Sequence, residues 1–154
     1  MSDELRIRAA TAGDLVEIVK MLADDFLGTG REQIDGEIPE NYFRAFREIE
    51  NDPNNELIVA ELNGKVVGTF QLTYTPSLSF QGGKRCTIES VRVDSGLRGK
   101  GIGREMMVWA IERAREKGCV SMQLTTHSER KDAHRFYEGL GFNPTHLGMK
   151  LKLQ

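Results

Sequence analysis

The chain has 154 residues, 39% of them hydrophobic and 29% charged, with a formal net charge of -2. These values are typical of one globular domain over residues 1–154 and argue against nucleic-acid binding, for which domains are usually clearly basic. The chain has no apolar run of the roughly 18 residues that span a bilayer and no signal-peptide core in its acidic first residues, so we expect a cytoplasmic protein without a membrane partner.

The first part of the chain predicts one strand followed by two helices. Leu5–Ala9 alternates apolar and polar residues and predicts a strand. Thr11 followed by Asp14 is typical of a capping box, and apolar residues at helical spacing then predict a helix over Ala12–Phe26. Aromatic residues on one face, with a proline in the first turn, predict a second helix over Pro39–Glu50.

The middle of the chain predicts three antiparallel strands. Leu57–Leu62 and Lys65–Tyr74 flank Asn63 and Gly64, and Asn-Gly between two strand-like segments is a strong hairpin signal. A glycine-containing turn then leads into a third strand, Arg85–Val93.

The last part of the chain predicts two helices alternating with strands. A helix over Gly101–Lys117 is followed by a strand over Cys119–Thr126, a helix over Arg130–Leu140 and a final strand or strand pair over Thr145–Leu153. The order predicts an α/β architecture: a mixed, mostly antiparallel central sheet of six to seven strands with helices on both faces. Cys86 lies in one predicted strand and is expected to be a free thiol, like the cysteine at position 119.

A glycine-rich turn joins the third hairpin strand to the following helix, and it consists of Arg98, Gly99, Lys100, Gly101, Ile102, Gly103 and Arg104. A helix N-terminus carries unpaired N–H groups and partial positive charge, and glycines let a ligand approach the backbone. Phosphate is the usual ligand of such a turn, and three cationic side chains surround this one. A P-loop is excluded because Gly103 precedes Arg-Glu rather than Lys-Ser or Lys-Thr, and a dinucleotide fingerprint beginning at Gly99 would need glycine at Arg104.

The segment Arg98–Gly103 resembles the Arg/Gln-x-x-Gly-x-Gly/Ala motif with which the GNAT superfamily of N-acetyltransferases grips the pyrophosphate of acetyl-CoA. The segment Ala133–Phe142 resembles the late helix of that family and the glycine after it. The resemblance implies a GNAT-like fold and acetyl-CoA as co-substrate. It also implies that backbone groups of Val91 and Val93 pair with the pantetheine arm, with Arg92 between them in the same cofactor-binding strand.

The resemblance also implies two catalytic residues. Tyr137 matches the tyrosine proposed in the family to donate a proton to the departing thiolate, and the alternative is an aromatic residue that only packs. Glu89 matches a glutamate that acts as general base, often through water. Its apolar neighbours suggest a central strand position, where a carboxylate is costly unless it is paired or functional. The alternatives are pairing with Arg92 or a position at a hydrated sheet edge.

The chain departs from the family pattern at Arg130, where the family often has an asparagine that contacts the cofactor arm. Ser128, Arg130 and Lys131 are the candidates to replace that contact. The three histidines are too scattered for a metal site, and we expect none. His127 is a candidate for acceptor contact, and His134 is expected to be exposed or capping.

The acceptor is predicted to be the primary amine of a small molecule. Five carboxylates give the region of the first two helices an acidic character that attracts cations, unless they form only a solvated surface: Asp24, Asp25, Glu32, Asp35 and Glu37. The run from Lys131 to Tyr137 resembles aminoalkylphosphonate N-acetyltransferases in one helix. Acetylation of a protein amine, or a regulatory module that binds acyl-CoA without catalysis, is the alternative. A homodimer is expected by analogy with the family.

Overall fold

The structure is a computed structural model that describes residues 4–24 and 37–154. Five strands form one sheet in sequence order, and they are β1 Leu5–Ala9, β2 Asn55–Leu62, β3 Lys65–Thr75, β4 Lys84–Val93 and β5 Cys119–Gln123. The first three pairings are antiparallel, and β5 runs parallel to β4. The predicted mixed, mostly antiparallel sheet is confirmed. The predicted number of six to seven strands is wrong, because the described residues form five.

Helices cover both faces of the sheet, as predicted, and they are α1 Leu15–Ala23, α2 Glu40–Asn51, α4 Ile102–Glu116 and α5 Lys131–Gly139. A short turn with left-handed residues, α3 Ser79–Gly82, lies between β3 and β4. Apolar residues of α1 and α2 pack on one face around Val59 and Val66. Met106, Met107 and Ala110 of α4 are fully buried against the other face. The predicted end of the first helix at Phe26 lies outside the described residues. Among the helices that the structure describes, none combines the length and apolarity needed to cross a membrane.

Two ion-pair networks fix helices to the sheet. Arg8 of β1 donates to both oxygens of Asp14, at 2.8 and 3.0 Å, and the Thr11 N–H donates to the same carboxylate at 2.7 Å, which confirms the predicted cap. On the opposite face, Arg113 of α4 donates to both oxygens of Glu56 at 2.9 Å. The hydroxyl of the buried Tyr74 donates to the same Glu56 carboxylate.

The predicted final strand over Thr145–Leu153 is wrong. This segment forms no ladder with any described strand, and its apolar side chains at 147, 149, 151 and 153 are exposed. Alternation shows which side chains a strand would bury, but it does not supply the neighbouring edge with which the strand must pair. The sequence pattern of a strand is therefore present here without the strand.

Candidate functional site

A bulge bends β4 next to the predicted catalytic carboxylate. Glu89 pairs with Gln71 of β3 and Arg92 pairs with Thr69, so β4 advances three residues where β3 advances two. Ser90 takes the extra position with a positive φ of 55°. Such a bulge interrupts the ladder and turns the strand away from its neighbour.

Beyond the bulge, β4 separates from β5. The two strands pair only between Lys84–Thr87 and Cys119–Gln123, after which no described ladder joins them. The stretch of β4 with Val91 and Val93 therefore borders an opening in the sheet, where main-chain groups on that side have no strand partner. An extended ligand is able to add to such an edge through main-chain hydrogen bonds.

The glycine-rich turn lies at the end of β4 and leads into α4. Gly99 and Gly101 have φ values of 81° and 84°, and an added Cβ at either would have no atom within 4 Å. Gly101 is the N-cap of α4, and no side chain caps this helix end. The first intrahelical bond runs from the Glu105 N–H to the Gly101 carbonyl at 3.1 Å, so the N–H groups before it point out of the helix.

Three cations surround this helix end. Arg98, Lys100 and Arg104 are all exposed, and no ion pair joins them to another residue in the part of the chain that the structure describes. An uncapped N-terminus with open glycine corners and unpaired cations fits a diphosphate, because N–H groups, dipole and side-chain charge all favour an anion.

The start of α4, the end of β4 and helix α5 converge at one point. A Cβ on Gly103 would lie 3.6 Å from Cζ of Phe136 and 3.7 Å from Cγ2 of Val93. Phe136 therefore packs over the opening, close to the glycine-rich turn. The structure thus brings the predicted cofactor strand, turn and late helix together.

Tyr137 follows on α5 and is half-buried. Its ring centroid lies 5.2 Å from that of Phe136 and 6.0 Å from that of Phe142. Burial raises the pKa of the Tyr137 hydroxyl, and the positive charges of Arg92 and Arg130 oppose that shift. Because the net shift is upward, the hydroxyl keeps its proton at neutral pH and is suited to donating it.

Glu89 is exposed, although its apolar neighbours suggested a central and costly position. Its cross-strand partner Gln71 lines an open pocket of about 220 Å³ together with Ala45, Glu48, Ile49, Asp52 and Asn55. The Gln71 amide donates to Asn55 Oδ1 at 3.0 Å. We did not predict a role for Gln71 or Asn55. The polar residues Gln71 and Thr73, which alternate with the buried Leu72 and Tyr74 along β3, were the signal that could have indicated them.

The loop before α5 is held by histidines. The Glu129 N–H donates to His127 Nδ1 at 3.1 Å, and Nε2 of His134 donates to the His127 carbonyl at 3.0 Å. His134 therefore ties the first turn of α5 to the loop before it. Arg130, at the position where the family has asparagine, is half-buried and acts electrostatically on Tyr137.

The cysteines and the acidic residues of the first two helices are the other features singled out in the sequence. Within residues 4–24 and 37–154, no three His, Cys, Asp or Glu side chains form a group that could hold a metal ion. Both cysteines are free, and burial raises the pKa of the Cys86 thiol to about 12. Asp24 and Glu37 are exposed. The predicted acidic residues at 25, 32 and 35 lie outside the described residues.

Two curated relatives resemble part of the chain. Aminoalkylphosphonate N-acetyltransferase from Salmonella typhimurium is 36% identical over 98 residues, 62% of this chain and 62% of that protein. Glucosamine 6-phosphate N-acetyltransferase from Trypanosoma brucei brucei is 33% identical over 90 residues, 58% of this chain and 59% of that protein. The match thus spans about three fifths of the length of each relative.

A solved structure resembles nearly the whole chain. The crystal structure of a transcriptional regulator from Bacillus halodurans C-125 matches with a TM-score of 0.95 and 53% identity, over 97% of this chain and 100% of that chain. The sequence profile of the acetyltransferase (GNAT) family matches residues 15–142. Because that match covers most of the sequence and includes the glycine-rich turn, the opening beside β4 and helix α5, the chain belongs to the GNAT family of acetyltransferases.

Proposed function

We propose that the protein is an N-acetyltransferase, one domain over residues 1–154, that transfers the acetyl group of acetyl-CoA to a primary amine of a small molecule. The observation that carries this proposal is the uncapped N-terminus of α4, with its two left-handed glycines and three exposed cations, at the end of the opening beside β4. A cytoplasmic location stays a prediction.

Acetyl-CoA supplies an activated thioester when bound. The N–H groups of Ile102, Gly103 and Arg104, with the charges of Arg98 and Lys100, would hold its diphosphate. The open main-chain edge at Val91 and Val93 would hold its extended arm. Neither contact depends on the identity of the β4 side chains.

Proton transfer to and from the reacting groups falls to two side chains. An alkyl amine with a pKa of about 10.4 is less than about 0.1% neutral at pH 7, so a base must remove its proton before it attacks the thioester. Glu89 is the candidate for this step, directly or through water, because it lies at the β4 bulge and its exposed carboxylate is accessible to solvent. Tyr137 is the candidate donor to the departing thiolate, because burial keeps its hydroxyl protonated.

The acceptor is a small cationic amine, and direct attack within a ternary complex needs no acyl-enzyme. The pocket beside Gln71 supports this choice, since Glu48 and Asp52 add negative charge to its lining. The relatives named for aminoalkylphosphonate and glucosamine 6-phosphate suggest amines that also bear an anionic group. Arg92 and Arg130, whose positive charges act on Tyr137, are the candidates to receive such a group.

A regulatory module that binds acyl-CoA without catalysis is the second candidate. It is favoured by the 53% identity with a protein described as a transcriptional regulator. Such a module needs the diphosphate site but not Glu89 or Tyr137. Acetylation of a protein amine is a third alternative, and it would use Glu89 and Tyr137 in the same roles as acetylation of a small molecule.

The deciding experiment has two stages. Thermal shift with acetyl-CoA, with free adenosine as the control ligand, tests the cofactor site. Release of free thiol is then measured with 2-aminoethylphosphonate, glucosamine 6-phosphate, ethanolamine and a lysine-containing peptide. Turnover on a small amine supports the enzyme, and turnover on the peptide alone supports protein acetylation. Binding without any turnover supports the regulatory module, and no binding would overturn the cofactor site.

A further inference from the structure

A chain of hydrogen bonds runs from the end of α2 to the strand position beside Glu89. Asn55 Nδ2 donates to Oδ2 of Asp52, the C-cap residue of α2, at 2.8 Å. The Gln71 amide nitrogen donates to Asn55 Oδ1 at 3.0 Å, and the Thr73 hydroxyl donates to the same oxygen at 2.8 Å. Asp52, Asn55 and Gln71 all line the open pocket, so the chain forms part of its wall.

The direction of this chain is set at its Asp52 end. A carboxylate only accepts hydrogen bonds, whereas an amide has a donating nitrogen and an accepting oxygen. The Asn55 nitrogen therefore faces Asp52, and the Asn55 oxygen faces Gln71. Gln71 meets that oxygen with its nitrogen, so its own oxygen, Oε1, points away from Asn55. This oxygen ends the chain, because it has no hydrogen-bond partner in the part of the protein that the structure describes.

Gln71 lies directly opposite Glu89 in the antiparallel pair of β3 and β4. The Cβ atoms of such residues are about 4.5–5.5 Å apart, and their side chains share one face of the sheet. Gln71 Oε1 is thus a second hydrogen-bond acceptor beside the carboxylate that is the candidate base. A primary ammonium group has three N–H donors, so it is able to donate to both acceptors at once.

We propose that Gln71 binds the reacting nitrogen of the acceptor amine through Oε1, and that Asn55 is a positioning residue that holds Gln71 in the required orientation. The inference rests on the proposed function, because it concerns the amine from which Glu89 removes a proton. After that proton leaves, another N–H bond of the amine still donates to Gln71, and the nitrogen keeps its lone pair for attack on the thioester carbon. The contact exists before and after proton loss, so it contributes to binding of the amine rather than to kcat.

Steady-state kinetics of the full chain tests Gln71. The substrate is the amine that the wild type acetylates fastest among 2-aminoethylphosphonate, glucosamine 6-phosphate, ethanolamine and a lysine-containing peptide. Gln71→Met keeps the side-chain length but removes the oxygen, and it should raise the KM for the amine about 10- to 100-fold, as expected for loss of a hydrogen bond to a charged group. The kcat and the KM for acetyl-CoA should change less than about threefold. The matched control is Gln81→Met in the exposed turn α3, which should leave all three values unchanged.

Asn55 is tested by variants that differ in whether an accepting oxygen remains at this position. Asn55→Leu leaves Gln71 present but without its restraint, so it should raise the KM for the amine about 5- to 20-fold with little change in kcat. Asn54→Leu is the control, because the Asn54 side chain has no hydrogen-bond partner among the described residues. It should leave the KM for the amine unchanged.

The double variant Asp52→Asn/Asn55→Asp is the rescue. It exchanges the amide and the carboxylate, so the net charge, the bond between the two side chains and an oxygen facing Gln71 are all kept. The KM for the amine should therefore stay within about threefold of the wild-type value. An exchange variant that melts like the wild type but has the raised KM of Asn55→Leu would overturn the role of Asn55.

Thermal unfolding and acetyl-CoA affinity, measured on every variant, separate positioning from a purely structural role. A network that only stabilises the fold would lower the melting temperature of Asn55→Leu and leave the KM for the amine at its wild-type value. That result, or a wild-type KM in Gln71→Met, would overturn this inference while the proposed function stands. A wild type that binds acetyl-CoA but acetylates none of the four amines would contradict the proposed function itself, and the inference with it.

Discussion

Gly68 of β3 lies directly beneath Met106 of α4. A Cβ at position 68 would be 2.5 Å from the Met106 sulfur and 3.3 Å from the Arg92 carbonyl oxygen, and Met106 is fully buried. No side chain fits between the strand and the helix at this point. The close contact sets the height of α4 above the sheet, and thereby the position of the glycine-rich turn from which α4 begins.

Gly68→Ala should therefore destabilise the protein by about 1–3 kcal/mol, because the added methyl group overpacks a filled site. Urea denaturation measures the free energy of unfolding. Gly139→Ala is the matched control, since a Cβ there meets no atom within 4 Å in α5. The control should be neutral or stabilising by up to about 1 kcal/mol. Equal effects from both substitutions would contradict the contact.

Gly101→Asp should raise the dissociation constant of acetyl-CoA, measured by calorimetry, by at least about tenfold. The substitution adds negative charge at the diphosphate site, and it places a side chain on a residue with a φ of 84°. Gly103→Ala is the control. Its Cβ would make only ordinary contacts, at 3.6 Å or more from its neighbours, and alanine favours the helix. Binding that is unchanged in the Gly101→Asp variant would remove the turn from the cofactor site.

Tyr137→Phe should affect kcat, whereas Tyr74→Phe should affect stability. Loss of the Tyr137 hydroxyl should lower kcat by about 10²–10⁴ if it is the proton donor, with little change in acetyl-CoA affinity or stability. Tyr74→Phe removes the bond to Glu56, so it should lower stability by about 1–2 kcal/mol and leave kcat unchanged. Steady-state kinetics and denaturation on both variants check this separation. A Tyr137→Phe enzyme with wild-type kcat would exclude Tyr137 from the chemistry.

Glu89→Gln should lower kcat, because the amide cannot accept the amine proton. Acetyl-CoA affinity should be unchanged. The control is Glu112→Gln on α4, where the carboxylate only pairs with Arg115 at the surface. If the Glu89→Gln variant keeps the wild-type kcat, the base is another group or water alone.

Asp14 gives the fold a pH dependence of known sign. Hydrogen bonds from Arg8 lower the pKa of Asp14 below its ordinary value, so its contribution to stability is complete above a pH of about 4 and is lost as the pH falls through the lowered pKa. Asp14→Asn should cost about 1–3 kcal/mol at pH 7, and the cost should shrink toward pH 2. Urea denaturation across this range measures it. Glu17→Gln, which breaks only an exposed pair with Lys20, should cost less than about 0.5 kcal/mol at any pH.

Most helices and strands could be predicted because their sequences contain local signals. Asn63 and Gly64 form the predicted hairpin turn, Thr11 begins the cap before α1, and Gly118 ends α4 with a φ of 76°. Each signal acts within a few residues. The glycine-rich turn was identified for the same reason, since its spacing and charge are local properties.

Features that depend on distant partners could not be predicted. Ser90 adopts a positive φ because of the register between β3 and β4, and serine itself gives no sign of it. The exposure of Glu89 depends on which distant elements pack on its side of β4, and its apolar neighbours in sequence do not indicate this. In the same way, the alternation of residues 145–153 indicates a strand, but the pattern does not show whether a sheet edge is available to pair with it.

The opening beside β4 also has a mechanical consequence. The sheet is continuous through its first four strands, whereas β5 is attached by four residue pairs at one end. The junction between β4 and β5 is therefore the most easily deformed part of the sheet. A tilt of β5 and α5 against β4 would break few main-chain hydrogen bonds. A molecule bound in the opening would contact both β4 and β5 and restrict this tilt. Binding there would therefore reduce the motion of the outer edge of β5.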